Sequence, residues 1–102
     1  MPKAYVILTE AIKDQAAMAA YGKAAAPAIA GSGARVLAVD PDPQNLEGDW
    51  HGDRTVIMEF PSAEAARAWY DSAAYTSART LRQAAADTNA VIITGLPAPG
   101  GK

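Results

Sequence analysis

Two side chains of this protein, His51 and Glu59, have the chemistry of a catalytic base. An imidazole exchanges protons near neutral pH, and a carboxylate inside a protein becomes more basic unless a cation pairs with it. His51 follows Trp50 in a polar segment, so its alternative role is a solvated loop residue beside an aromatic anchor. Glu59 lies near the end of an apolar segment, and its alternative role is a structural ion pair with Arg35 or Arg82.

Arginine and aromatic side chains supply candidates for binding a small organic molecule. An arginine can hold a carboxylate through two hydrogen bonds, and a tyrosine hydroxyl can donate to a ligand carbonyl. For Arg54 the alternative is a salt bridge to Glu47 or Asp53. Aromatic residues at helical spacing are more often core residues than ligand contacts. The candidate ligand-binding residues are Tyr5, Arg35, Arg54, Trp69, Tyr75 and Arg82.

The composition argues against several kinds of site and partner. The 102 residues contain no Cys and one His, which removes disulfides, thiolate metal sites and multi-histidine sites within one chain. The net charge is −2 and the basic residues are scattered, which argues against binding nucleic acid or an anionic membrane. The apolar run from Ala4 to Leu8 is too short for a signal peptide or a membrane span. We therefore expect a cytoplasmic protein without a metal or a cofactor.

The candidate side chains must be positioned by four predicted strands. Short runs of β-branched and aromatic residues, bounded by Gly, Pro or polar residues, are typical of strands. Prolines stop the second strand, and residues 40–53 then form a loop long enough to act as a lid over a site. The predicted strands are Ala4–Thr9, Ala34–Val39, Arg54–Phe60 and Ala90–Gly95.

Helices are predicted between the first and second strands and between the third and fourth strands. Asp14 and Ser62 are their N-cap residues, because each side chain can accept hydrogen bonds from the free N–H groups of the first turn. Pro27 removes one hydrogen bond from the first helix and predicts a kink or a break there. A turn over Asp71–Ala74 divides the later helix, which continues as a second segment over Tyr75–Ala86.

The order of the predicted elements, βαββαβ, is that of an α+β ferredoxin-like fold. In this fold a four-stranded antiparallel sheet carries its helices on one face. We expect one domain over residues 1–96, followed by a flexible C-terminal tail over residues 97–102.

Alternation along the strands gives the two faces of the sheet different characters. One face is apolar and should lie beneath the helices. The other mixes apolar with polar side chains and would expose a large apolar patch on a monomer. Burial of this patch against the same face of a second copy is worth several kcal/mol and predicts a homodimeric α/β barrel. The apolar face holds Val6, Leu8, Val36, Ala38, Val56, Met58, Phe60, Val91 and Ile93, and the mixed face holds Tyr5, Ile7, Thr9, Arg35, Leu37, Val39, Thr55, Ile57, Glu59, Ile92 and Thr94.

Several short motifs occur in a characteristic order, namely Leu46-Glu47-Gly48, Arg54, Glu59-Phe60-Pro61-Ser62, Ala66, Trp69-Tyr70-Asp71-Ser72, Tyr75 and Leu81-Arg82. Their order resembles a family of small bacterial proteins, the domain-of-unknown-function family numbered thirteen-thirty in the dimeric α/β-barrel superfamily. The resemblance extends from Tyr5 to Gly95 and implies a ferredoxin-like fold and homodimers, but no established activity. The superfamily also includes cofactor-free oxygenases and haem-degrading enzymes. The latter use a haem-ligating histidine on a helix, which His51 does not match.

Three functions are compatible with the sequence. The first is the binding of a small organic molecule in a cleft between the mixed face and the partner subunit. The second is a cofactor-independent enzyme, an oxygenase, isomerase or lyase acting on a small organic acid or aromatic compound. Glu59 or His51 would then be its base, and Arg35 or Arg54 would clamp an anion. The third is a structural dimer without a ligand.

Overall fold

The strands and helices follow one another in the order β1–α1–β2–β3–α2–α3–β4 in the computed structural model, which describes residues 2–97. Residues 98–102 of the predicted tail lie outside this part of the chain. The third strand agrees with its prediction at both ends. The bounds are β1 Ala4–Ile12, α1 Gln15–Ala30, β2 Arg35–Asp40, β3 Arg54–Phe60, α2 Ala63–Asp71, α3 Ala73–Ala85 and β4 Ala86–Thr94.

The four strands pair in the order β2–β3–β1–β4, and each pairing is antiparallel. The helices pack on one face of this sheet, which we call the helix face, and the other is the open face. The arrangement is the predicted α+β ferredoxin-like fold. Its core lies between the helix face and the helices and includes Val6, Leu8, Met18, Tyr21, Met58, Phe60, Trp69 and Tyr75.

The helices begin where the capping residues predict. Asp14 and Ser62 each accept a hydrogen bond from the backbone N–H three residues later, at 3.1 and 3.0 Å. Ser72 caps α3 in the same way and separates it from α2 within the predicted turn. Of the kink or break predicted near Ala26, the break does not occur, and α1 continues to Ala30. Pro27 lies in the last turn, where the loss of one hydrogen bond does not stop a helix that tertiary packing supports.

The strands β1 and β4 are longer than predicted. β1 continues to Ile12, β4 begins at Ala86, and these two residues pair with each other. Neither extension is rich in strand-forming residues, so each is held by hydrogen bonds to the other strand rather than by its own propensity. The extension places Glu10 on the sheet directly opposite Arg54 of β3.

The faces predicted for β4 are reversed. Its register pairs Ile92 with Val6, so Ile92 lies on the helix face and packs against the core. Thr94 follows it to the same side, whereas Val91 and Ile93 lie on the open face with 51% and 47% exposure. Alternation fixes which residues share a face, but only the register against a neighbouring strand decides which face that is.

A β-bulge between Val36 and Ala38 reverses the alternation in the second half of β2. Beyond the bulge, Val39 pairs with Val56 and lies on the helix face, whereas Ala38 pairs with Ile57 on the open face. The placement of these two residues predicted from strict alternation is therefore wrong, because a bulge adds one residue to one strand of a pair. β2 is an edge strand whose residues are all exposed. The helix α1 packs on α3 and does not cover β2.

The contact of Gly52 with β1 gives a test of this fold. Its φ is +83°, and a Cβ atom at this position would overlap the backbone of Glu10. Gly52→Ala should therefore lower the free energy of unfolding by about 2 kcal/mol or more. Gly22→Ala is the control, since a Cβ there meets open space on α1 and should stabilise the helix by about 0.5–1 kcal/mol. Urea unfolding measures both, and equal effects would contradict the close approach at Gly52.

Candidate functional site

The gap between α1 and the uncovered edge of the sheet is a cavity of about 330 Å³, which we call the helix-face cavity. At the edge strand, the side chains of Val36 and Val39 are 48% and 54% exposed. Three polar side chains line it, those of Glu10, Tyr21 and Arg54. A concave and mainly apolar surface with a few polar groups is the usual form of a small-molecule site. The apolar lining includes Leu8, Ala25, Ile29, Val36, Val39 and Met58.

Glu10 and Arg54 form an ion pair in the lining of this cavity. Arg54 Nε donates a hydrogen bond to Glu10 Oε1 at 2.7 Å. The Glu10 side chain is fully buried, whereas the Arg54 side chain keeps 26% exposure. Glu10 Oε2 is also buried and has no hydrogen-bond partner among the described residues. A buried carboxylate oxygen without a donor is costly, so a ligand that donates a hydrogen bond here would lower the free energy of the site.

Sequence reasoning missed Glu10 and assigned the wrong partner to Arg54, for which it favoured Glu47 or Asp53. The signal for Glu10 is positional, because it continues the even positions of β1 that form the helix face. Antiparallel pairing of the first and third strands would then have placed it opposite Arg54. The predicted end of the strand at Thr9 hid this relation.

A chain of buried polar groups lies behind the cavity. The hydroxyl oxygens of Tyr21 and Tyr75 are 2.8 Å apart, and Arg82 Nε donates to the Tyr75 hydroxyl oxygen at 3.3 Å. Burial, together with the neighbouring Tyr75, raises the pKa of Tyr21 well above its usual range, so this hydroxyl stays protonated. Burial acts to lower the pKa of Arg82, but the adjacent Tyr75 oxygen raises it, and the guanidinium remains charged.

The predicted residues Tyr5, Arg35 and Glu59 lie together on the open face. Arg35 Nη1 and Lys3 Nζ each lie 3.4 Å from Glu59 Oε1, and the Tyr5 hydroxyl donates to Glu59 Oε2 at 3.5 Å. The structural ion pair with Arg35 is thus present. Arg82 lies on the other side of the sheet and takes no part in this cluster.

The loop before β3 is fixed to the sheet at its C-terminal end. His51 Nε2 lies 2.9 Å from the backbone oxygen of Asp87, and Trp50 Nε1 donates to Thr55 Oγ1 at 2.8 Å. The loop also lines an open-face cavity of about 480 Å³ with residues that include Ala38, Leu46, Trp50 and Ile57. No hydrogen bond joins the two candidate bases, since His51 contacts β4 whereas Glu59 contacts β2.

Trp69 and Tyr75 are core residues, with 3% and 0% exposure. The ring centroid of Trp69 lies 4.0 Å from that of Tyr75 and 5.3 Å from that of Phe60. The predicted site residues therefore lie in three places, namely the open face, the loop before β3, and the helix side of the sheet. Of the predicted ligand-binding residues, Arg54 lines the helix-face cavity, and Tyr75 and Arg82 lie behind it in contact with Tyr21 or with each other.

Two further observations concern residues 2–97. Within this range, no cluster of three or more histidine, aspartate or glutamate side chains is arranged to hold a metal ion. None of the described helices combines the length and the apolar character needed to cross a bilayer.

Removal of the positive charge from the ion pair tests the electrostatics of this site. Arg54→Met leaves the Glu10 carboxylate buried without a cation and should lower the free energy of unfolding by about 3 kcal/mol. Combining it with Glu10→Met should recover most of that loss, because both charges are then absent. Arg67→Met is the control: its pair with Asp71 is solvent-exposed and should contribute less than about 0.5 kcal/mol. Chemical denaturation measures each value, and a small loss in Arg54→Met would refute the buried pair.

Comparison with known proteins identifies the family and the fold. The model of the family described as domain of unknown function DUF1330 matches residues 3–96. A crystal structure of a protein of unknown function from Rhodopseudomonas palustris is 24% identical, with a TM-score of 0.78 over 95% of this chain and 85% of that one. A dimeric ferredoxin-like protein from Thermobifida fusca is 16% identical, with a TM-score of 0.65 over 91% of both chains.

A third structure with the same fold belongs to a protein described as an enzyme. A variant of SnoaB, a cofactor-independent oxygenase from Streptomyces nogalater, is 11% identical, with a TM-score of 0.66 over 98% of this chain and 99% of that one. None of the curated proteins matches this chain. Since the family model spans nearly all of the described residues, the chain belongs to the DUF1330 family.

Proposed function

We propose that the protein is a homodimer that binds a small, mostly apolar organic molecule in the helix-face cavity. The observation that carries this proposal is Glu10 Oε2, a buried oxygen of a lining residue that has no hydrogen-bond donor within residues 2–97, beside a mainly apolar cavity. A ligand hydroxyl or N–H group would satisfy this oxygen, and apolar walls would bury the rest of the ligand.

The helix-face cavity suits this role better than the open-face cleft expected from the sequence. Volume does not separate the two cavities, since about 330 Å³ and about 480 Å³ both fall within the range of roughly 300–1,000 Å³ that is usual for ligand sites. The carboxylate predicted as the base on the open face is already paired, since Glu59 has Arg35, Lys3 and Tyr5 as partners. A ligand there would compete with existing contacts, whereas a ligand at Glu10 would add a missing one.

Dimerisation through the open face is the second part of the proposal. Val91 and Ile93 are about half exposed there, beside the partly buried Ile7 and Ile57. Monomers rarely expose contiguous apolar patches of this kind, and a second copy would cover it. The proteins from Thermobifida fusca and Bacteroides fragilis that share this fold are described as dimeric, which supports a dimer here.

The molecular mass in solution tests the dimer. Sedimentation at micromolar concentration should give twice the chain mass of 10.6 kDa. Ile93→Lys places a charge in the proposed interface and should give monomers, because a desolvated and unpaired charge opposes association. Leu81→Lys changes a side chain of similar exposure on α3 and should leave the dimer intact. A monomeric native protein contradicts this part of the proposal.

Ligand binding is tested by a screen of small aromatic and aliphatic compounds followed by NMR titration. A compound at 100 times its Kd should raise the free energy of unfolding by about 2.7 kcal/mol. Val36→Trp should abolish binding, because the indole fills the mouth of the cavity, whereas Leu81→Trp, at an exposed position outside the cavity lining, should not. Binding that survives Val36→Trp unchanged would place the ligand elsewhere. The absence of any hit would favour the structural dimer without a ligand.

A cofactor-independent enzyme is the alternative function, and Glu10 also favours it. A carboxylate oxygen free of protein donors can accept a proton from a bound substrate. SnoaB is described as a cofactor-independent oxygenase, and a Nitrosomonas europaea protein of the same fold as a putative antibiotic biosynthesis monooxygenase. Conversion of a bound compound during the titration, lost in Glu10→Gln, would identify an enzyme. Glu59 and His51 remain predicted bases, and Glu59→Gln and His51→Ala belong in the same assay.

A further inference from the structure

The buried polar groups of Arg82, Tyr75 and Tyr21 behind the helix-face cavity form a chain of hydrogen bonds. Which group donates and which accepts follows from the donors and acceptors that each side chain has. A guanidinium has only donors, so the contact between Arg82 Nε and the Tyr75 hydroxyl makes the Tyr75 oxygen an acceptor. Tyr75 is 0% exposed and does not line the cavity. Its own proton therefore needs a partner inside the protein, and the partner within reach is the Tyr21 oxygen at 2.8 Å.

The opposite direction leaves a buried proton without an acceptor. If Tyr21 donated to Tyr75, the Tyr75 oxygen would accept twice and its proton would have no partner among the described residues. Such an unsatisfied buried donor is strongly disfavoured. The favoured order is thus donation from Arg82 to Tyr75 and from Tyr75 to Tyr21.

This order leaves the proton of Tyr21 without a protein acceptor. Tyr21 is a lining residue of the cavity, and its hydroxyl makes no hydrogen bond other than that with the Tyr75 oxygen in residues 2–97. The raised pKa of Tyr21 keeps this proton in place near neutral pH. The charge of Arg82, transmitted through two polarised hydroxyls, strengthens the Tyr21 donor.

We propose that the helix-face cavity is built for a compound with a carbonyl oxygen and, at a second position, a hydroxyl or N–H group. The carbonyl accepts from the Tyr21 hydroxyl, and the second group donates to Glu10 Oε2. Tyr75 and Arg82 are positioning residues for Tyr21. This inference rests on the proposed binding function and narrows it to one chemical class. Tyr21 and Glu10 are not hydrogen-bonded to each other, so the ligand spans the distance between them.

A panel of probes of nearly equal shape tests both contacts. The 3- and 4-isomers of hydroxyacetophenone carry donor and acceptor, 4-methylacetophenone lacks the donor, 4-ethylphenol lacks the carbonyl, and 4-ethyltoluene lacks both. NMR titration of the wild-type protein should show that one hydroxyacetophenone isomer binds about tenfold more tightly than 4-methylacetophenone and about fivefold more tightly than 4-ethylphenol. The tenfold factor, against the probe without a donor, is the larger because that donor bonds the Glu10 carboxylate.

Substitutions assign each preference to its residue. Tyr21→Phe should remove the preference for hydroxyacetophenone over 4-ethylphenol. It should keep the preference for hydroxyacetophenone over 4-methylacetophenone. Glu10→Gln should weaken the second preference. The carbonyl stretch of bound, isotope-labelled hydroxyacetophenone gives a readout that loss of packing would not reproduce. It should lie at lower frequency in the native protein than in Tyr21→Phe, with Tyr75→Phe in between.

The outcomes separate this inference from the proposed function. Probes that bind in a manner sensitive to Val36→Trp, but without preference for a carbonyl, would overturn the directed chain and leave cavity binding intact. If no probe binds, the inference fails, whereas the proposed function fails only if the wider compound screen also gives no hit. If a variant does not fold, the probe preferences and the carbonyl stretch of the native protein still decide the question.

Discussion

The ion pair between Glu10 and Arg54 is the interaction on which the rest of the arrangement depends. A buried carboxylate is tolerated only beside a cation, and these two side chains meet because β1 and β3 pair in register beyond the predicted end of β1. The loop before β3 is tied to the same point. The Asp53 N–H donates to the Glu10 backbone oxygen at 2.8 Å, and Asp53 Oδ2 accepts from the Ile12 N–H at 3.0 Å. The extension of β1, the position of the loop before β3 and the ion pair between Glu10 and Arg54 thus stabilise one another.

The two faces of the sheet acquire different roles from one feature, the uncovered edge strand β2. Because α1 packs on α3, a gap remains above β2 on the helix face, and the bulge turns Val39 towards that gap. The open face lacks helices, and Val91 and Ile93 of β4 lie there half exposed. The first surface is concave and lies beside a buried carboxylate oxygen that has no donor within residues 2–97, whereas the second exposes apolar side chains and pairs Glu59 with Arg35. Concavity suits a small ligand, and an apolar sheet face suits another protein surface.

Local sequence signals were sufficient to predict the fold. The features that they did not predict depend on contacts between residues far apart in the chain. The caps at Asp14 and Ser62, and the run of β-branched residues in β3, act within a few residues and are readable in the sequence. Glu10 was missed because the extension of β1 depends on its pairing with β3 and β4 and not on local sequence. The bulge that moves Val39 to the helix face likewise leaves no signal in a single strand. The directed chain through Tyr75 joins residues far apart in sequence, so spacing could not reveal it.

The proposed function depends on a ligand in the helix-face cavity donating to Glu10 Oε2, a buried oxygen that has no donor within residues 2–97. A crystal structure of the native protein at atomic resolution, grown from a solution containing a hit from the compound screen, tests it most directly. We expect density for that compound between α1 and β2, with a donor atom at hydrogen-bond distance from Glu10 Oε2. Density confined to the open face, or a protein group bonded to Glu10 Oε2, would contradict it.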